Sequence, residues 1–250
     1  MSAHPPPKHD RPKAVITGSG ARVGRSIALE LARHKFELAL HFHRNEEGAQ
    51  ETLKSVYKQG GSGFIIQADL GNSSSRAEMS TQIGEWTSKL DLLVNNASLF
   101  EPQPFGLIDE TEWRQMFEVN LHAPAFLAQA TLPALRAARG LIINLCDIGA
   151  ETPLRGYSHY SSSKAALIGL TRALAVELAP EVRCVGISPG QVAWPPEYTP
   201  EQRSKLNARI PMSRGGTPED IARLVRFLIL DGGYINGAII PVDGGLSCRY

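Results

Sequence analysis

Residues 14–33 read A-V-I-T-G-S-G-A-R-V-G-R-S-I-A-L-E-L-A-R, and the change of period inside this stretch decides the fold. Ala14 to Thr17 is a short apolar run of the kind that forms a buried strand, whereas V-G-R-S-I-A-L-E-L-A-R-H has helical spacing with a charged face. Between them T-G-S-G-A-R-V-G, residues 17–24, turns strand into helix. Gly18 permits a tight turn and Gly24 permits close packing, while the N-terminus of the following helix offers free N–H groups and a positive dipole to a pyrophosphate. The strict G-x-G-x-x-G is not present, so the surrounding pattern has to carry the reading.

That pattern repeats outward along the chain. Apolar runs recur at Glu37 to Phe42, Phe64 to Ala68, Leu90 to Asn95, Leu141 to Cys146, Arg183 to Ser188 and Ala238 to Val242. Segments such as E-E-G-A-Q-E-T-L-K-S-V-Y-K-Q separate them, with helical spacing and charged faces. Alternation of this kind predicts α/β architecture: a single doubly wound parallel sheet with helices on both faces, its ligand at the carboxyl ends of the strands. The least regular stretch, Gln191 to Pro218, contains W-P-P-E-Y-T-P and R-I-P-M-S-R-G-G-T-P and reads as a lid around a short helix. We read residues 1–12 as a loose polar tail and 13–250 as one domain, since M-S-A-H-P-P-P-K-H-D-R-P-K has no apolar signal core.

Composition excludes several function classes. With 26 basic and 25 acidic residues the net charge is +1, so nothing points to nucleic acid or an anionic membrane. Runs such as L-V-R-F-L-I-L are far shorter than the roughly 20 residues of a spanning helix, which predicts a soluble, cytoplasmic protein. Cys146, Cys184 and Cys248 lack disulfide or zinc spacing, and the first two read as small buried side chains. No metal is expected; His41 and His43 share one strand face and make a metal pair conceivable, but no further ligands cluster with them.

The end of the second strand speaks to cofactor choice. An enzyme preferring the unphosphorylated dinucleotide usually carries an acid there, about 20 residues beyond the glycine turn, to hold the ribose 2′-hydroxyl. Here the place reads His41, Phe42, His43, Arg44, Asn45. Arg44, with Arg22, can meet a 2′-phosphate, which points to NADPH; the alternative is a solvated charged turn in which Glu46 and Glu47 partly cancel Arg44.

Tyr160 and Lys164 stand four apart in Y-S-S-S-K, at the start of a strong helix former, so they project together. A phenol normally titrates near 10, and a neighbouring ammonium favours the phenolate, which is how a tyrosine becomes a general acid. Thirteen residues earlier stands Asp147. An ionised carboxylate has no proton to donate to a substrate carbonyl, so Asp147 handicaps simple ketone reduction. It can instead accept from ring N–H groups of a substrate reduced at C=N, orient Tyr160, or share a proton with it if its own pKa is raised. The alternative is a strand-end turn residue.

Several motifs in order resemble the short-chain dehydrogenase/reductase family, from Lys13 onward. They are T-G-x-x-x-x-x-G at 17–24, Asp69-Leu70, Asn95-Asn96-Ala97, Asn120, Y-S-S-S-K at 160–164, Pro189-Gly190 and Asp243-Gly244-Gly245. Four details look like the pteridine reductases: Arg22 in place of the middle glycine, H-F-H-R-N at 41–45, N-N-A-S-L-F at 95–100, and Asp147 in the usual serine position, followed by P-L-R-G-Y-S-H-Y. The stretches A-P-E-V-R and P-G-Q-V-A-W-P-P-E look like the bacterial members.

The resemblance implies a Rossmann fold, a homotetramer, and reduction of a dihydropteridine-type substrate (dihydrobiopterin, dihydromonapterin or dihydrofolate) by NADPH. It also assigns roles. Gly18, Arg22, Val23, Gly24, His41, Phe42, His43, Arg44, Asn45, Asp69, Leu70, Asn96, Ala97, Pro189 and Gly190 would line the cofactor together with Tyr160 and Lys164. Arg22 would face both pyrophosphate and substrate, Ser98 would contact the substrate, and Phe100 would sandwich a pterin ring, unless it is plain core filler. Asp147, Tyr160, Lys164 and Asn120 would be the catalytic set: Lys164 holds the nicotinamide ribose and depresses the tyrosine pKa, and Asn120 supports a water that resupplies the proton. A C-terminal arginine, Arg249, could reach a neighbouring subunit's site. The competing reading is a short-chain reductase of a carbonyl substrate such as a 3-oxoacyl thioester.

Overall fold

The computed structural model describes residues 11–192 and 199–248. The tail before Arg11, Trp194 to Tyr198 of the irregular stretch and Arg249 lie outside them. Among the described residues seven strands form one parallel sheet: β1 (Lys13–Ile16), β2 (Glu37–Phe42), β3 (Ser62–Gln67), β4 (Leu92–Asn95), β5 (Leu141–Leu145), β6 (Arg183–Pro189) and β7 (Ile239–Val242). Their spatial order is β3-β2-β1-β4-β5-β6-β7, and every neighbouring pair is parallel. The chain reverses direction across the sheet between β1 and β4, so a crevice opens at the carboxyl ends of these two strands.

The expected doubly wound sheet is therefore present, with strand limits displaced by up to two residues. Thr17, expected in β1, lies just past it. Its N–H donates to the Val94 carbonyl (3.0 Å) while its hydroxyl oxygen accepts from the N–H groups of Asn96 and Ala97 (both 2.9 Å), which ties the glycine turn to the end of β4.

Strand alternation sorts the core into two layers. Ala14 and Ile16 of β1 point to one face, where they meet Ile27 and Leu31 of α1 (Arg22–Arg33), Val56 of α2 (Glu46–Lys58) and Ile221 and Val225 of α8 (Pro218–Leu230). Val15 points to the other, with Met79 and Ile83 of α3 (Ser73–Trp86), Leu127 and Leu135 of α5 (Ala123–Ala138) and Ala175 of α6 (Ser158–Glu177). Both faces are covered, which is why β4 and β5 are buried at every residue and read as continuous apolar runs.

Two devices near the site begin with caps. Asp109 accepts the Glu112 N–H while Glu112 reaches back to the Asp109 N–H, starting α4 (Glu110–Phe117). That helix runs into a π-turn, Glu118–His122, which carries Asn120. The short helix expected in the irregular stretch is α7 (Pro200–Asn207), opened by a Thr199–Gln202 capping box. Among the described residues no helix is long and apolar enough to cross a membrane.

Candidate functional site

The glycine turn lies at the carboxyl end of β1. Gly18 has φ +65°, which glycine adopts without strain, and a Cβ at Gly24 would sit 2.3 Å from the Gly18 carbonyl oxygen. Turn and helix therefore approach closely, leaving the N-terminus of α1 beside an open crevice. Arg22, the first residue of that helix, is exposed and takes φ +48° without being glycine. Val23 behind it is half-buried and packs on the core. The Asn96 amide donates to the carbonyls of Thr17 (2.7 Å) and Gly18 (3.1 Å), and Ala97 is 3.1 Å from where a Gly18 Cβ would be. Both serve the turn itself.

At the end of β2 the five candidates divide. His43 and Arg44 are exposed, and among the described residues Arg44 makes no ion pair or hydrogen bond. Asn45 is spent on structure: its side chain caps α2 by accepting the Gly48 N–H (3.1 Å). His41 and Phe42, expected in the cofactor lining, have interior side chains, at 2% and 5% exposure. Both His41 ring nitrogens are occupied, by the Gly18 N–H and by the Ala68 carbonyl oxygen, so it has neither a face toward a ligand nor a free nitrogen for a metal. Burial holds it neutral, with its pKa lowered to about 4. Among the described residues no group of three or more His, Cys, Asp or Glu side chains could hold a metal ion.

After β3, Asp69 is half-exposed, 3.9 Å from His43, and accepts the Gly71 N–H; Leu70 is buried, its carbonyl accepting from Arg76 (2.6 Å). At the end of β6, Pro189 leads to Gly190, where a Cβ would meet the Asp243 Cβ at 2.7 Å. A tight turn, a helix N-terminus packed against it at Gly24 and two exposed arginines fit the phosphates of a dinucleotide.

The second half of the site grows from β5 and α6. Tyr160 and Lys164 sit one helical turn apart and are both buried. Tyr160 Oη donates to Asp147 Oδ2 (2.8 Å), and the other Asp147 oxygen accepts the Gly149 N–H (2.6 Å). Lys164 Nζ donates to the Leu145 carbonyl (2.7 Å) and stands 5.8 Å over the Tyr160 ring. Burial pushes the Asp147 carboxyl up, raises the Tyr160 phenol well above 10, a shift the neighbouring Asp147 charge reinforces, and lowers Lys164. The Lys164 ammonium, expected to depress the phenol, is turned to the Leu145 carbonyl, and burial with the Asp147 charge sets the direction. Low dielectric around the phenol, with a carboxylate in contact, outweighs an ammonium that is turned to a carbonyl. The phenol therefore keeps its proton.

Asn120 is buried and fully engaged. Its Oδ1 accepts from Ser98 Oγ (3.1 Å) and the Leu99 N–H (2.8 Å), while Nδ2 donates to the Leu99 carbonyl (3.1 Å) and Ser163 Oγ (3.1 Å). It joins the loop after β4 to the Tyr160 helix. Phe100, the next residue of that loop, is 49% exposed and so is not core filler. Its ring stacks on Tyr157 (4.5 Å, 17°) and meets Tyr160 edge to face (4.7 Å, 77°). Tyr157 is a residue that sequence reasoning missed as a site candidate, although Y-S-H-Y places it one helical turn before Tyr160, on the same side.

Comparison with known proteins agrees with this geometry. The profile described as Enoyl-(Acyl carrier protein) reductase matches residues 19–247. The chain is 34% identical over 238 residues to the uncharacterized oxidoreductase YohF of Escherichia coli, covering 93% of this chain and 94% of that protein. It is 31% identical over 238 residues to the 3-oxoacyl-(acyl-carrier-protein) reductase FabG of Staphylococcus aureus, covering 93% and 97%. The crystal structure of acetoin dehydrogenase YohF from Salmonella typhimurium superposes with a TM-score of 0.88 at 30% identity, covering 96% of this chain and 97% of that one. Fold, motif order and these relatives together make the chain a member of the short-chain dehydrogenase/reductase family and an oxidoreductase of that type.

Proposed function

We propose that the protein is an NADPH-dependent reductase of a flat dihydropteridine-type substrate, reduced at a C=N bond. One observation carries the reading: the Tyr160 hydroxyl donates to the carboxylate of Asp147, not to a serine. A serine could donate its own proton to a substrate carbonyl; a carboxylate can only accept until it is protonated. A pterin brings ring N–H and amino donors that such an acceptor fits, and the half-exposed, stacked ring of Phe100 offers a flat apolar face beside it.

Bound NADPH supplies the hydride, and the chain's own groups manage the proton. Tyr160 keeps its proton at neutral pH and delivers it to the ring nitrogen beside the carbon that is reduced. Asp147 receives the ring N–H groups, and its raised pKa lets it share a proton with Tyr160. Lys164 would hold the nicotinamide ribose hydroxyls, and Asn120 holds the loop of Ser98 and Phe100 at a set distance from α6. Arg44 is the residue for the 2′-phosphate. Chains pair through α5 and α6 to form a homotetramer; Phe126 and Val176 are exposed apolar residues on these helices.

A second reading has its own support in the relatives: 31% identity to a 3-oxoacyl-(acyl-carrier-protein) reductase favours a carbonyl substrate. Steady-state oxidation of NADPH against dihydropterins, dihydrofolate, a 3-oxoacyl thioester and a diketone separates the two. Turnover of a pterin or folate far above any ketone supports the first reading. Turnover of ketones alone replaces it with the second.

A further inference from the structure

His41 does more than fill the end of β2. Its Nδ1 accepts the Gly18 N–H (3.1 Å) and its Nε2 lies 3.0 Å from the Ala68 carbonyl oxygen. A carbonyl only accepts, so Nε2 bears the proton and Nδ1 the lone pair. The His41 carbonyl in turn takes the Ser19 N–H (2.9 Å) and hydroxyl (3.1 Å). One buried residue therefore grips Gly18 and Ser19 with its ring and its backbone, and also fixes the carbonyl that precedes Asp69 and Leu70.

We propose that His41 is a positioning residue of the nucleotide cleft, whose Nδ1 lone pair holds the Gly18 N–H so that the turn keeps the backbone that aims the α1 N-terminus at a pyrophosphate. The proposal rests on the reading that a nicotinamide dinucleotide lies along this crevice. Glycine is the residue with the widest backbone freedom, and a turn left to sample it would have to be ordered again at each binding event. The tie from His41 removes that freedom before the cofactor arrives. The Asn96 amide restrains the same turn from the opposite side, through its carbonyls, so His41 controls the N–H alone.

The two ring bonds can be separated by substitution. An asparagine amide oxygen superposes on Nδ1 and keeps only the Gly18 bond; a glutamine amide nitrogen reaches the Nε2 position and keeps only the Ala68 bond; phenylalanine keeps the shape and neither bond. NADPH Kd by calorimetry, melting temperature and kcat at saturating NADPH are measured for each. Loss of the Gly18 bond, in His41→Gln and His41→Phe, weakens NADPH about ten-fold, the worth of one hydrogen bond, while His41→Asn stays near wild type and saturated kcat holds throughout. In the wild type, 15N spectra show a neutral Nε2–H imidazole and the Gly18 amide exchanges slowly. Equal weakening by Asn and Gln, weakening that merely tracks melting temperature, an Nδ1–H tautomer, or fast Gly18 exchange overturns the proposal, and the last two are read without any variant. If the wild type binds no nicotinamide dinucleotide, the cofactor reading fails and takes this one with it.

Discussion

Tyr160 Oη donates to Asp147 Oδ2 across 2.8 Å, so the phenol proposed as the proton donor is held by a carboxylate. The two groups come from different elements, the turn after β5 and the first turn of α6, and burial favours the protonated form of each. A protonated phenol in contact with a carboxylate whose pKa burial raises is a store for one proton and an acceptor for another.

Removing either partner should therefore separate substrate classes. Tyr160→Phe should lower kcat on a dihydropterin by roughly 100- to 10,000-fold, with NADPH affinity little changed. Asp147→Ser restores a hydroxyl donor and removes the acceptor, so pterin turnover should fall while ketone turnover holds or rises. Unchanged pterin turnover in Asp147→Ser would sink the pteridine assignment.

Cofactor choice should reside in Arg44. Arg44→Ala should weaken NADPH by roughly 1.5 to 3 kcal/mol, the worth of a charge-assisted hydrogen bond, and leave NADH nearly unchanged. Equal losses for the two nucleotides, measured by calorimetry, would place the 2′-phosphate elsewhere.

Arg22 should trade stability for binding. Its φ of +48° is a region that disfavours a side chain by roughly 1 kcal/mol, and glycine relieves it. Arg22→Gly should raise the melting temperature of the nucleotide-free protein while weakening NADPH, because a charge beside the pyrophosphate is lost. A variant that melts lower and binds equally well contradicts both halves.

His41 should make stability fall in mild acid. Its pKa in the folded protein, about 4, lies below the ordinary 6.5, so the unfolded chain takes up the proton first. The sign follows: its contribution is fully present above about pH 6.5, declines as pH falls, and is gone below about pH 4, a span worth roughly 3 kcal/mol. Urea unfolding of wild type and His41→Asn at pH 4.5 and 7.5 should show a steeper loss in the wild type. Parallel losses would assign the acid sensitivity to other groups.

Assembly is checked by mass. Light scattering at micromolar concentration should report four chains, and replacing exposed Phe126 or Val176 on α5 and α6 by a charged residue should shift it to smaller species. A monomeric wild type would refute the proposed interface.

The order of elements, the parallel sheet and the crevice at its switch point were legible because they depend on period and order, which a chain displays along its length. Gly18 and Gly24 could be read singly, since a turn with a positive φ and a helix without room for a Cβ leave glycine no substitute. The Tyr160–Lys164 pair was legible too, because helical spacing is local.

What lay beyond the sequence was direction. His41 and Phe42 are neighbours of Arg44 in the chain, yet the tertiary structure turns them inward and leaves Arg44 in solvent. Lys164 could have faced the phenol oxygen and instead faces the Leu145 carbonyl, so burial and Asp147 set the Tyr160 pKa. Tyr157 became a partner of Phe100 only once the loop after β4 was pinned to α6 through Asn120 and Ser163. Period and spacing act along one segment and can be read from it; burial, hydrogen-bond partners and pKa arise where distant segments meet, and only the packed molecule decides those.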